Sequence, residues 1–296
     1  MAYFHVPVML TEVLKYLNPR NGGRFIDCTL GGAGYTMALA EKVGESGKIL
    51  GIDLDELALK NAAWEIKTRQ LNNIVLVQDN FKNLKEIVAA NFSAAAKFDG
   101  VVFDLGLSSA QLDDETRGFS FKGERPLDMA FGPAVGHSTE EIVNRYPLLE
   151  LTRIFREYGE ERRAYQIAKA IVEARRTKRI STTADLTGIV EKIVPFRFHS
   201  KIHPATRIFQ ALRMETNGEL EVLAEVLPVA VDLLKPQGRL VVVSFHSGED
   251  RIVKRFFKAQ ENLQILTKRP LIPAAAETAN NFRARSAKLR AAAKIG

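Results

Sequence analysis

The sequence predicts an α/β fold, a doubly wound and mostly parallel sheet interrupted by an inserted helical domain. Three observations carry this. Four strand-like runs, Arg24 to Cys28, Lys48 to Asp53, Asn73 to Gln78 and Phe98 to Asp104, alternate with helical patterns at the spacing of βαβ units. A fifth run, Arg239 to Phe245, comes only after a gap of 134 residues, far longer than one crossover helix needs. The gap itself is helical in period. With 296 residues, 46% of them hydrophobic, the chain can bury one large core or two medium ones.

Each element has its own warrant. The runs at Phe98-Asp99-Gly100-Val101-Val102-Phe103 and Leu240-Val241-Val242-Val243 are continuously apolar, as strands buried on both faces are. Within the gap, Leu148-Leu149-x-Leu151-x-x-Ile154-Phe155 and Tyr165-x-Ile167-Ala168-x-x-Ile171-Val172 place apolar residues three and four apart, and Ser181 to Leu186 reads as a helix start. Residues 112–215 are therefore expected to form the insert, with 1–111 and 216–296 forming the sheet domain. Glu219 to Leu234 reads as the helix that returns the chain to the sheet, closed by Lys235-Pro236-Gln237-Gly238. Glu249 to Gln260 reads as helix and Ser286 to Arg290 as a last strand.

Ligands of such sheets collect beyond the carboxyl ends of the strands. The first strand ends at Asp27-Cys28-Thr29 and enters Leu30-Gly31-Gly32-Ala33-Gly34-Tyr35-Thr36, a turn where glycines let backbone approach a ligand at a helix amino end. The second ends at Asp53, placed to bind ribose hydroxyls or to cap the helix starting near Asp55. Nicotinamide dinucleotides and S-adenosylmethionine both fit this layout. A G-x-G-x-x-G fingerprint fails at Met37, whereas Asp27 four residues before Gly31 matches D-x-x-x-G-x-x-G, the methyltransferase pattern. Phe81 is placed to cover an adenine or to join the core. The fourth strand delivers Asp104, Ser108, Ser109 and Gln111 to the same edge.

Net charge is +7 with a pI near 9.4, which favours an anionic partner. Basic residues gather at Arg175 to Arg179, along Arg197, Lys201, Arg207 and Arg213, and after Glu277, where Arg283, Arg285, Lys288, Arg290 and Lys294 occur without an acid. Phe196, Phe198 and Phe282 lie among them, a combination that points to nucleic acid. Cys28 is the only cysteine, which excludes intrachain disulfides and cysteine-based zinc sites. The longest apolar runs are strand-sized, and Met1-Ala2-Tyr3-Phe4-His5 lacks a secretory pattern, so a cytoplasmic protein is expected.

Ordered blocks then make the pattern specific. His5-Val6-Pro7-Val8-Met9, Asp27 to Tyr35, Asp104 to Asp113 with Arg117-Gly118-Phe119-Ser120-Phe121, His203 to Arg213, Ser244 to Arg251 and, more loosely, Asn281 to Arg290 run the length of the chain. In these it resembles the bacterial 16S ribosomal RNA cytosine-N4 methyltransferases, the RsmH (MraW) family. The resemblance implies a class I, Rossmann-like methyltransferase that uses S-adenosylmethionine to methylate the exocyclic amino group of a decoding-centre cytidine in small-subunit rRNA. Its substrate would be 16S rRNA within the small ribosomal subunit or a late precursor; a homodimer is compatible with it. It assigns cofactor contacts to Ala33, Gly34, Tyr35, Asp53, Phe81, Asp104 and Gln111. Where the family usually has Gly-Gly-Gly-Gly-His, this chain has Gly31-Gly32-Ala33-Gly34-Tyr35, with further departures at Ala130, Phe131 and Gly248.

A cytosine amino nitrogen is a weak nucleophile because its lone pair is delocalised, so catalysis needs acceptors that orient it toward the methyl donor. Asp104, Ser108, Ser109 and His203 are the candidates, with Asp104 serving substrate, cofactor or both, and His203 either facing a cleft or starting a helix. No metal is required by this chemistry. His246 reads as a cleft acceptor or as a partner of Asp250. Arg207, Arg213, Arg283 and Arg285 are the RNA candidates, and Glu160 to Arg163 reads as a solvated helix face. A dinucleotide-dependent oxidoreductase and a non-catalytic RNA-assembly factor are the rivals, separable by whether S-adenosylmethionine binds.

Overall fold

A computed structural model describes residues 7–107, 116–121, 123–132, 137–195 and 203–296. The chain divides into two compact units, one made of Met1–Gly106 and Leu220–Gly296, the other of Leu107–Glu219.

The first unit is built on a seven-stranded sheet ordered β3-β2-β1-β4-β5-β7-β6. Strands β1 (Arg24–Asp27), β2 (Lys48–Asp53), β3 (Ile74–Gln78), β4 (Phe98–Asp104) and β5 (Leu234–Ser244) are parallel, while β7 (Lys288–Lys294) runs antiparallel to β5 and to β6 (Leu263–Ile265). Alternate residues supply the two faces. Val101 and Phe103 pack with α4 (Leu84–Asn91), α10 (Glu219–Leu233) and α11 (Ser247–Ala259). Val102 packs on the opposite face with α1 (Leu10–Leu17) and α2 (Gly34–Val43), and α3 (Glu56–Thr68) links β2 to β3. Burial on both sides is why these strands carry no polar alternation.

Three expectations shift in detail. Strand β5 starts at Leu234, and the expected turn survives inside it as an irregularity: the register slips between Phe98 and Gly100, and Gln237 adopts φ 65°. The last strand starts two residues later than Ser286 and runs to Lys294, because Ser286 ends a 3-10 turn, Phe282–Ser286. The helix expected from Glu249 starts at Ser247 behind a His246 cap.

The second unit is helical: α5 (Thr139–Arg145), α6 (Leu148–Glu157), α7 (Ala164–Thr177), α8 (Thr183–Ile193) and α9 (Pro204–Asn217) surround one apolar core that includes Leu151, Phe155, Ile167, Leu186 and Phe209. Ser138 and Thr182 start α5 and α8 with reciprocal side-chain caps. Among the described residues no helix is long and apolar enough to cross a membrane.

Candidate active site

The site grows from the carboxyl ends of β1, β2 and β4. Asp27 closes β1 and is fully buried; its Oδ1 accepts the Thr29 amide (3.2 Å) and its Oδ2 the Thr36 hydroxyl (2.8 Å). Burial pushes its pKa up to about 6, with the nearby Asp53 charge adding to the rise and the Thr36 and Thr29 hydrogen bonds opposing it. Asp53 closes β2 and joins two backbones. Its Oδ2 accepts the Gly31 amide (2.8 Å) and its Oδ1 the Asp55 amide (2.9 Å), while the helix Glu56–Thr68 is capped not by Asp53 but by Asp55, whose side chain accepts the Leu57 amide. Burial raises its pKa as well.

Asp104, at the end of β4, is held by its own amide, which donates to Thr29 Oγ1 (2.6 Å). Its Oδ1 is cut off from solvent and has no hydrogen-bond partner among the described residues. Burial, then the charges of Asp27 and Glu249, raise its pKa well above the carboxylate range, opposed by the Tyr35 hydroxyl beside it. An acid of this kind is poised to meet a donor or a cation from outside the chain.

The glycine turn shapes the other wall. Gly31 takes φ 47°, and a side chain on Gly34 would collide with Pro7, whose ring would lie 2.6 Å from the new Cβ. Ala33 is left-handed too (φ 60°), a conformation that glycine adopts without strain; its methyl is buried with Leu30, Met37 and Ala62. Tyr35 is buried and donates its hydroxyl to the Val8 carbonyl. Phe81 is half-buried and meets Phe103 edge-on with centroids 5.6 Å apart, leaving part of its ring toward solvent. Sequence reasoning missed Thr29 and Thr36, which hold Asp104 and Asp27; no spacing rule marks a hydroxyl that reaches a neighbouring strand. Ser108, Ser109 and Gln111 lie outside the described residues.

The other candidates take structural partners. His203 caps α9: its Nδ1 accepts the Ala205 amide (3.2 Å), its Nε2 is 3.0 Å from Glu191 Oε1, and its ring stacks on Phe121. Arg213 is bidentate to Glu219 at 2.7 and 2.8 Å, which commits its guanidinium within the helical unit. Arg207 donates to the Glu160 carbonyl (3.3 Å) yet stays exposed. Glu160 to Arg163 form the connection between α6 and α7, not a helix face, with Glu160 left-handed and Glu161 buried. Within the first cluster Arg175 is spent on the Val143 and Tyr146 carbonyls, and Lys178 and Arg179 pair with Asp185 and Glu140. His246 caps α11 together with Glu249, and Asp250 pairs with Arg290 (2.7 Å) instead of His246. Arg283 and Arg285 are exposed.

The model of the MraW methylase family matches residues 2–295. A Carboxydothermus hydrogenoformans protein named ribosomal RNA small subunit methyltransferase H is 42% identical over all of this chain and 99% of its own length. A Thermomicrobium roseum protein of the same name is 44% identical over 98% of this chain and 94% of its own. Among solved structures, a Clostridium thermocellum protein described as a candidate rRNA methylase shares the fold, with TM-score 0.50 and 16% identity over 99% of this chain and 100% of that one.

Proposed function

The chain belongs to the MraW methylase family, and from that premise we propose that it methylates the N4 amino group of a decoding-centre cytidine in 16S rRNA, using S-adenosylmethionine. The small subunit or its late precursor in the cytoplasm is the substrate. The observation that carries the reading is Asp104, a half-buried carboxyl whose solvent-inaccessible Oδ1 has no partner among the described residues, at the edge shared with Asp27, Asp53 and the glycine turn.

These residues suit the cofactor. S-adenosylmethionine supplies an electrophilic methyl group on a sulfonium and also carries an ammonium, and both charges favour an edge with three carboxyls and no salt-bridging cation to them among the described residues. Asp53 holds the ribose diol while keeping the Gly31 amide in place. Ala33 and Gly34 present backbone, Tyr35 fixes the turn from behind, and Phe81 lies against the adenine. Gln111 completes the set by its family position.

Asp104 orients the target. Its open oxygen accepts a hydrogen bond from the exocyclic amino group, and, ionised by the positive charges of the bound methyl donor, the carboxylate is free to take the proton the nitrogen sheds. Ser108 and Ser109 follow it in sequence as further acceptors, while the cap geometry of His203 favours a positioning role. Residues 1–111 and 216–296 serve the methyl donor and residues 112–215 recognise RNA, with Arg207 the more available of its two arginine candidates.

The test is transfer of labelled methyl from S-adenosylmethionine to small subunits purified from cells lacking this protein, followed by nucleoside analysis. Label in N4-methylcytidine is expected. Label in a different nucleoside, or none in an assay that a known methylase passes, overturns the reading.

A further inference from the structure

The antiparallel strand β7 begins at the ligand edge. Lys288 pairs with Ser244 and Leu289 with Val243, and Val243 pairs with Asp104 on its other side. Residues just before Lys288 therefore emerge beside the ends of the parallel strands, roughly 10 Å from β4 at about 4.8 Å per strand. They are fastened there. Glu277, in α12 (Ala275–Asn280), accepts the Met9 amide (2.7 Å), and the preceding carbonyl, that of Val8, is the one that receives the Tyr35 hydroxyl. Ala284 and Ala287 share the buried cluster of Val8, Met9 and Tyr35.

This anchored turn presents an aromatic ring to solvent. Phe282 is 69% exposed, and the Arg285 guanidinium lies over its ring, 4.4 Å from the centroid. It is the only exposed phenylalanine among the described residues. Arg283 and Arg285 flank it, and the Leu271–Leu289 bridge brings the exposed Lys268 and Arg269 toward the same end of β7. No acidic residue follows Glu277 in the chain.

We propose that Phe282, braced by Arg285, is a base-stacking platform for single-stranded RNA next to the methyl-donor site. A ring steadied by a cation takes any base by its face, and the neighbouring cations neutralise phosphates, so the platform positions RNA without reading its sequence. The proposal rests on the reading that the substrate is RNA and adds a contact that the sheet unit makes on its own.

The experiment measures binding of a labelled oligocytidylate to the full-length protein by fluorescence anisotropy. Phe282→Ala is expected to weaken binding roughly 5- to 150-fold, the range for losing one base stack. Phe282→Trp should bind at least as well as the wild type, and both variants should keep wild-type S-adenosylmethionine affinity and thermal midpoint. Unchanged binding by Phe282→Ala overturns the proposal, as does a parallel loss of cofactor affinity, which would mark a structural role. Full binding by Phe282→Leu also overturns it and makes the patch an apolar docking surface. Methyl transfer by the wild type to small subunits separates the two levels: transfer without any Phe282 effect removes only the platform, whereas absent transfer removes the catalytic reading.

Discussion

Buried carboxylates in the two units are treated in opposite ways. In the helical unit Glu219 meets both nitrogens of the Arg213 fork, with the two side chains only 10% and 11% exposed. In the sheet unit the buried Asp27 and the half-buried Asp104, whose Oδ1 is cut off from solvent, have no salt-bridging cation among the described residues, and hydroxyls and amides are their neighbours. Desolvating a charge costs several kcal/mol, and an ion pair offsets that cost while a lone acid answers it by holding its proton. The paired acid is architecture. The acid with an open oxygen is a receptor, and the sheet unit makes the distinction internally as well, because its Asp250 is paired with Arg290 like Glu219 with Arg213.

The sharpest way to break this contrast is to remove a cation from the paired acid. Arg213→Ala strips the desolvated Glu219 of its bidentate cation, so unfolding free energy should drop by about 3–5 kcal/mol in denaturant titrations. Replacing both partners by apolar residues of similar size should recover most of the loss. A drop under about 1 kcal/mol is the behaviour of a solvated pair and would dissolve the comparison. Asp104→Asn should do the reverse. Its thermal midpoint should not fall, since a buried acid is exchanged for a neutral amide, but methyl transfer should slow roughly 10²- to 10³-fold, the usual cost of removing one oriented group at a reacting centre. A destabilised but active variant would make Asp104 structural.

Asp27 gives the contrast a pH signature. Its pKa in the folded protein, about 6 against an ordinary 3.8, means that the native state keeps the proton which the unfolded chain has already released. The stabilisation it brings is complete below about pH 4 and disappears as pH rises through about 6. The stability of Asp27→Asn relative to wild type should therefore increase by about 3 kcal/mol between pH 3 and pH 7, from 1.36 kcal/mol per pKa unit. The amide can still accept from Thr29 and can donate to the Thr36 hydroxyl, so the variant should fold. A pH-independent difference would refute the assignment.

Those carboxylates were legible in the sequence because strand ends are written in it: three of the five apolar runs stop at an acid, and the parallel order places the stops on one edge. Side-chain partners were not. Arg213 and Glu219 lie across the left-handed break at Gly218, which helical periodicity cannot bridge, so a structural arginine looked like a phosphate ligand. His203 and His246 each precede a helix, yet a capping histidine and a catalytic one share the same sequence neighbourhood until Ala205 or Glu249 is seen to bond. The reach of Tyr35 to Val8 and of Glu277 to Met9 joins segments far apart in the chain, information that only the fold holds.

Asp53 lies between the two classes, and the smallest predicted effect falls there. Its oxygens are occupied by the Gly31 and Asp55 amides, as an architectural acid's would be, but both donors are neutral and each oxygen retains a lone pair for a hydroxyl. Asp53→Ala should weaken S-adenosylmethionine binding by about 1–3 kcal/mol, the range for a charge-assisted hydrogen bond. Loss of affinity alone does not separate ribose contact from a loosened glycine turn, since both follow from the same deletion. A cycle with the 2′-deoxy cofactor does. If Asp53 holds the diol, removing the hydroxyl costs affinity in the wild type and almost nothing further in Asp53→Ala, because the partner is already gone. If it acts only through Gly31, the two losses add, and Asp53 joins Glu219 on the architectural side.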